Sequence, residues 1–392
     1  MARETTSRQI PLQVAWFASL KTVSGLAALC LIAIVAAAPV PDAIQAQLCI
    51  LTIVTYFVMG WLRPTGGPFR VFVALLIIFT STRYMIWRVT ETMPSDSALS
   101  IAGGIFLLGA ESYGYVLLLL STFLSVDVYK RPPRPAPVSA SRSPAVDILV
   151  PSYNEPDELL EVTLTAALNV IYPAGRMNVY LLDDGGGRWP SGAHADPVKA
   201  AEAAERHERL KAMCERLGAH YLTREKNDHA KAGNINAALA RTSGELILIL
   251  DADHVPSADI LVRTVGYFVE DPKVFLVQTP HFFLNPDPLE RNLGTFREMP
   301  SENEMFYSVI QRGLDGINAS FFCGSAAVLR RELIMEIGGI QGDTITEDAE
   351  TALELHARGA IEASMWTGPW WRVFRPRHSP VSSFSGCAGH RA

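Results

Sequence analysis

Four long apolar runs fill the first third of the chain and restrict its fold more than any other feature. They are Thr22 to Ala38, Ala43 to Leu62, Val71 to Val89 and Ser97 to Val126. A bilayer core takes about 20 such residues per helix, and inside hydrocarbon only a helix or a closed barrel satisfies the backbone. The third run fits only if Arg83 and Arg88 are accommodated. These arginines and Glu111 are either paired ionisable groups within a bundle or, for the two arginines, snorkelling side chains at the interface. A mean hydropathy of +0.17 agrees with a membrane protein.

Orientation follows from the charges between the runs. Arg3, Arg8 and Lys21 precede the first, Arg63 and Arg70 separate the second from the third, and Lys130, Arg131 and Arg134 follow the fourth. The other two connections carry Asp42, and Glu91 with Asp96. This alternation predicts four membrane helices over residues 1–127 with both ends cytoplasmic, and so a cytoplasmic hydrophilic remainder. The competing reading of the first run is a cleaved signal peptide, for which "IVAAAPVPDA" offers small-residue positions. That run exceeds the usual signal core of about 7 to 15 residues.

The formal net charge of −6 argues against nucleic acid held on a broad basic surface. Cys30, Cys49, Cys214, Cys323 and Cys387 form no CxxC pair, so neither a zinc site nor a disulfide framework is indicated. Residues 128–145, with "YKRPPRPAPVSASRSPA", have the Pro-, Ser- and Arg-rich composition of an exposed linker. Beyond it, short apolar strands alternate with amphipathic helices. This order predicts an α/β domain over residues 146–359, with a Rossmann-like, mostly parallel sheet covered on both faces. Such sheets bind ligands beyond the carboxyl ends of their strands, and three strands here end in "SYNE", "DDGG" and "DADH".

In "LILILDADHVP", residues 246–256, five aliphatic residues run into Asp251 and Asp253. If strand geometry persists, both carboxylates share a face and repel unless a cation joins them. A hard divalent ion, Mg2+ or Mn2+, suits oxygen ligands and completes its shell with water and phosphate. An isolated DxD also fits a solvated turn. Its company favours the metal: Asp183 and Asp184 with Gly185 to Gly187, and Lys231 in "HAKAGN" as a point charge for phosphate. His254 is either a third ligand or a turn histidine. In "TITEDAETALE", Thr346, Glu347 and Asp348 open a helix, where acids favour the dipole; the functional alternative makes Asp348 a general base.

"VDILVPSYNEP", "DDGG", "HAKAGN", "LDADHVP", "VGYFVEDP", "FLVQTPHFF", "NPDP", "PSENEMFY", "FFCGSAAVLRR" and "TITEDAETALE" occur in one order and spacing. In this the chain resembles the processive family 2 glycosyltransferases, specifically the bacterial cellulose synthase catalytic subunits, closely over residues 146–359 and more loosely before them. The resemblance implies a GT-A-type domain that moves glucose from UDP-glucose, with inversion, to the 4-hydroxyl of a growing β-1,4-glucan acceptor. It implies a place in the bacterial inner membrane beside a periplasmic accessory subunit. Tyr153, Glu155 and Asp183 would hold the uridine end, Lys231 the diphosphate, and Asp251 and Asp253 the metal and nucleotide. Asp348 would be the base, with Glu347 beside it. Phe321 and Cys323 would line the acceptor end, with His281 near the same groove; for Phe321, Phe322 and Cys323 the plain alternative is core packing.

After Gly359 the sequence changes character. The family would next show a strand, a "QxxRW" motif, further membrane helices and later a cyclic-di-GMP-binding domain, none of which is legible in residues 360–392. Met365, Trp366, Trp370 and Trp371 each have a single codon, and reading their codons from the third base permits Val-Asp-Arg-Ala-Met-Val, which the family has shortly after its TED segment. A frameshifted tail is therefore expected, in a chain that keeps its donor-side residues but makes little or no polymer. The rival expectations are another membrane polysaccharide synthase (hyaluronan, chitin or another glucan) and a catalytically dead remnant that binds donor.

Overall fold

The computed structural model describes residues 30–365 apart from 32, 63–65, 138, 186–196, 225–226, 283–284, 287, 297, 301 and 359–361. Arg3, Arg8, Lys21, most of the first apolar run, Arg63, Gly186, Gly187, Cys387 and the tail from Trp366 lie outside the described residues. Two compact units divide between Asp127 and Val128.

In the first unit, α1 (Asp42–Leu62), α2 (Gly67–Glu91) and α3 (Ala98–Val126) are long and apolar enough to cross a membrane. They correspond to the second, third and fourth apolar runs. Phe57, Trp61, Phe106 and Phe123 are exposed on them, the pattern a lipid-facing surface would have. The α3 N-terminus is capped by Ser97, whose hydroxyl accepts from the Ser100 amide at 3.2 Å. Arg88 is buried, and its Nε donates to Glu111 Oε2 at 2.7 Å, joining α2 to α3. Arg83 donates to the carbonyls of Ala36 and Ala38, both at 3.0 Å, and to Gln45 Oε1 at 2.6 Å. Both arginines are thus satisfied within the unit, the pairing alternative, because an unpaired charge in hydrocarbon is costly.

The second unit carries a seven-stranded sheet in the order β3-β2-β1-β4-β6-β5-β7. Its strands are β1 (Val146–Ser152), β2 (Met177–Asp183), β3 (His220–Leu222), β4 (Leu246–Ile249), β5 (Val274–Gln278), β6 (Ala327–Arg330) and β7 (Glu362–Met365). Only β6 runs against its neighbours. Burial on both faces explains the unbroken apolar runs. Val146, Ile148 and Val150 pack with Leu246, Leu248 and Leu250 in one core. Leu149, Ile247 and Ile249 point into the other. The first core is closed by α4 (Asp157–Leu168), α5 (Pro197–Leu217) and α7 (Ile260–Glu270). The second is closed by α6 (Ala230–Leu239) and α8 (Glu347–Ala357). Each fully buried Leu or Ile contributes about 1.5–3 kcal/mol.

Two expectations are corrected. A strand does follow Gly359: β7 pairs in parallel with β5, Val277 opposite Ser364. Four edge residues are too few for periodicity to register. The linker expected over residues 128–145 is exposed along about half its length, but the remainder is strapped to the rest of the second unit. Tyr267 donates its hydroxyl to the Pro132 carbonyl at 2.8 Å, and the Ala136 amide donates to the Val262 carbonyl at 2.8 Å. Arg131 holds buried Asp315 through two nitrogens at 2.8–2.9 Å. Gly266 permits this approach, since a Cβ there would stand 2.1 Å from the Arg134 carbonyl oxygen. Prolines carry no amide, so the strap meets α7 through the Pro132 carbonyl and the Ala136 amide.

Candidate active site

The carboxyl ends of β1, β2 and β4 lie side by side, with Ser152 opposite Asp183 and Leu149 opposite Ile249. The aspartates after β2 and β4 meet protein cations: Arg206 at Asp183, Arg224 at Asp184 and Lys231 at Asp251. Asp183 is fully buried, accepting from Arg206 Nε at 3.2 Å, the Tyr221 hydroxyl at 2.9 Å and the Gly185 amide at 3.1 Å. Arg206 also donates to the Glu155 carbonyl at 2.8 Å and to Ser152 Oγ at 3.1 Å, tying the ends of β1 and β2 together. Asp184 is gripped by Arg224 through two bonds of 2.7 Å; burial nonetheless pushes its carboxyl above the usual range. Tyr153 is exposed, and Glu155 Oε2 accepts from Ser152 Oγ at 2.9 Å and from the Tyr153 amide. Tyr153 and Glu155 therefore stand at the opening while Asp183 is embedded behind them.

The strand geometry expected at Asp251 and Asp253 does not persist. β4 ends at Ile249, and the chain turns so that the His254 amide donates to the Asp251 carbonyl at 3.0 Å. This turn, not strand alternation, gathers Asp251, Asp253 and His254 so that one ligand atom from each lies within 4.8 Å of the others. His254 is thus both a turn residue and a member of the cluster. Two carboxylates and an imidazole fit a divalent cation of the Mg2+ or Mn2+ class. Lys231 pairs with Asp251 and donates to the Gly324 carbonyl at 2.8 Å. Burial opposes ionisation of Asp251, but Lys231 and His254 outweigh it and hold the carboxyl below its ordinary range.

Behind this cluster lies a polar network. His281 Nε2 faces the Ser325 carbonyl at 2.9 Å, so that nitrogen carries the proton, and Nδ1 accepts from the Tyr307 hydroxyl at 2.9 Å. Burial, reinforced by His254, pushes the His281 imidazole down to about 4, so the ring is neutral near pH 7. The His254 and His281 rings meet at 4.6 Å between centroids. Gln278 Nε2 donates to the Ser325 carbonyl at 2.8 Å, and its Oε1 accepts from the Cys323 amide at 2.8 Å. Burial, then Asp348, pushes the Cys323 thiol up, which removes it as a thiolate nucleophile. Phe321 packs against the second core and meets the Phe306 ring edge-on at 6.1 Å, whereas Phe322 is wholly within that core.

At the start of α8, Thr346 makes no side-chain cap. Asp348 Oδ1 accepts from the Ala349 amide at 2.8 Å. Its other oxygen faces Gly324, whose φ of +77° is left-handed; a Cβ there would stand 3.2 Å from Asp348 Oδ2 and 3.6 Å from Lys231 Nζ. Asp348 and Lys231 thus flank one glycine floor. Glu347 is part-exposed next to Asp348.

Sequence reasoning overlooked Arg206, Arg224, Tyr307, Gln278 and Ser325. Tyr307 and Ser325 stood inside quoted segments, "PSENEMFY" and "FFCGS". Tyr307 occupies a π-helical turn, Phe306–Ile310, a distortion frequent at functional sites. Arg206 had no local signal, being one charge among many on α5.

Residues 147–338 match the glycosyl transferase family 2 model. A cellulose synthase catalytic subunit (UDP-forming) of Xanthomonas axonopodis pv. citri is 41% identical over 85% of this chain and 43% of that protein. Cellulose synthase 1 of Novacetimonas hansenii is 39% identical over 90% of this chain and 21% of that protein. The chain therefore spans less than half the length of these relatives. A solved mannosyltransferase from Pyrobaculum calidifontis, in complex with GDP-Man and Mn2+, shares 23% identity at a TM-score of 0.42 over 66% of this chain and 64% of that one. The chain is a homologue of bacterial cellulose synthase catalytic subunits, with apolar helices followed by an α/β domain that matches glycosyl transferase family 2 over residues 147–338.

Proposed function

We propose that this homologue of bacterial cellulose synthase catalytic subunits transfers glucose from UDP-glucose, with inversion, to the 4-hydroxyl of a β-1,4-glucan. The observation that carries the reading is the convergence of the Asp251, Asp253 and His254 cluster with Lys231 and Asp348 on either side of Gly324. Tyr153 and Glu155 receive the uridine, with Asp183 and Arg206 bracing them from behind. Lys231 passes from Asp251 to the diphosphate once the nucleotide is in place. A divalent cation of the Mg2+ or Mn2+ class, when bound by Asp251, Asp253 and His254, offsets charge on the leaving diphosphate. Asp348, through the oxygen facing Gly324, takes the acceptor hydroxyl proton while Glu347 lies beside it. Phe321 and Cys323 line the acceptor end near His281, and inversion follows from one displacement at the sugar, the acceptor oxygen bonding as the diphosphate leaves. The apolar helices and the basic connections around them support a bacterial inner-membrane location with this domain on the cytoplasmic side, where a periplasmic accessory subunit is the expected partner.

The test is UDP titration of the purified chain with and without Mn2+, followed by competition among radiolabelled UDP-sugars. Cation-dependent UDP binding lost in Asp251→Asn, with UDP-glucose outcompeting UDP-GlcNAc, is the expected result. Binding indifferent to the cation and to Asp251 sinks the site. A preference for UDP-GlcNAc transfers the reading to a chitin- or hyaluronan-type synthase.

A further inference from the structure

We infer that Ser325 is a positioning residue that selects which nitrogen of His254 meets the cation. The inference rests on the metal-site reading above and deepens it. Ser325 is wholly buried at the approach to β6. Its Oγ lies 2.7 Å from the Asp251 amide nitrogen and 2.7 Å from His254 Nδ1. Its carbonyl accepts from Gln278 Nε2 at 2.8 Å and from His281 Nε2 at 2.9 Å. One residue thus holds the first acid of the turn, the turn histidine and the histidine packed against it.

The hydrogen-bond inventory makes the assignment. An amide nitrogen only donates, so the Asp251 N–H occupies one of the two lone pairs on Ser325 Oγ. That leaves one lone pair and the hydroxyl hydrogen for Nδ1. Nδ1 is engaged by this hydroxyl at 2.7 Å and stands 3.7 Å from Asp251 Oδ2, while Nε2 stands 3.8 Å from Asp253 Oδ1. Nε2 is therefore the ligating atom. An imidazole ligating through Nε2 keeps its proton on Nδ1, and the partner of that proton fixes tautomer and ring orientation. Ser325 Oγ accepts it with the remaining lone pair. Before the cation arrives, the same hydroxyl donates to Nδ1 of the other tautomer. A hydroxyl can take both roles; a methyl group can take neither.

The experiment pairs two measurements on the full chain. Mn2+ affinity, read by electron paramagnetic resonance, should fall about 10- to 100-fold in Ser325→Ala, the usual cost of losing a partner of a metal-bound histidine. Circular dichroism shows whether the variant is folded. Independently of any variant, 15N NMR of the histidines in the unaltered chain should show the His254 proton moving from Nε2 to Nδ1 as Mg2+ is added. Equal Mn2+ affinity in folded Ser325→Ala overturns the inference, as does Mg2+ taking the Nδ1 position. No Mn2+ binding by the unaltered chain is a different result: it removes the metal site itself, and the inference with it.

Discussion

Replacing Gly324 by alanine probes the floor between the proposed base and Lys231. Two costs are legible in the geometry. The φ of +77° is left-handed, where a residue with a Cβ costs about 1–2 kcal/mol. The new methyl would stand 3.2 Å from Asp348 Oδ2, closer than ordinary van der Waals contact, and 3.6 Å from Lys231 Nζ, which is tolerable. Asp348 must give way, and since its Oδ1 is held by the Ala349 amide at 2.8 Å, the free oxygen swings aside. The shift required is a few tenths of an ångström, short of the roughly 1 Å misplacement that costs about 100-fold in rate, so turnover should drop about 2- to 10-fold. Cation-dependent UDP binding should change little, and the melting temperature should fall by about 2–8 °C. UDP release from UDP-glucose and a thermal melt on the same sample read both. Wild-type turnover with wild-type stability would refute the placement of Asp348 and Lys231 across this glycine.

Two further perturbations test the scaffold and its electrostatics. Asp147 is fully buried in β1 and is met by Arg331 Nη2 at 2.8 Å, the Gly244 amide at 2.6 Å and Asn178 Nδ2 at 3.3 Å; Arg331→Met should cost about 3–5 kcal/mol in urea unfolding by stranding the carboxylate, and a loss under about 1 kcal/mol contradicts that role. His281 titrates at about 4 when folded against 6.5 in an open chain, so its contribution to stability is present above pH 6.5 and is withdrawn as the pH falls toward 4. Between pH 7 and pH 5 that withdrawal amounts to about 2 kcal/mol, and a histidine NMR titration in EDTA that returned a midpoint near 6.5 for His281 would rule it out.

What could be read from residues alone was whatever depends on local pattern. Apolar runs of bilayer length marked the three described helices, because hydrocarbon admits no other open backbone. Unbroken aliphatic segments such as "LILIL" marked strands buried on both faces, and their ends marked the edge where the acidic residues gather. The short β7 and the packing of the proline-rich strap were illegible, since neither has periodicity and both depend on partners far along the chain. The cations were the larger surprise. Asp183, Asp184 and Asp251 are met by Arg206, Arg224 and Lys231, from α5, the turn after β3 and α6. Only the folded sheet brings those elements together.

The chain's own pattern determined that it has helices long and apolar enough to cross a membrane, an α/β domain and a DxD pair at a strand end, because period and length act over a few neighbouring residues. Tertiary structure alone decided that the two acids are gathered by a turn, that Ser325 from an antiparallel neighbour holds Asp251 and His254, and that Gly324 separates Lys231 from Asp348. Hydrogen bonds reaching 71 to 74 residues along the chain leave no trace in local composition: their energy is realised only when loop closure has already been met by the cores on either side of the sheet.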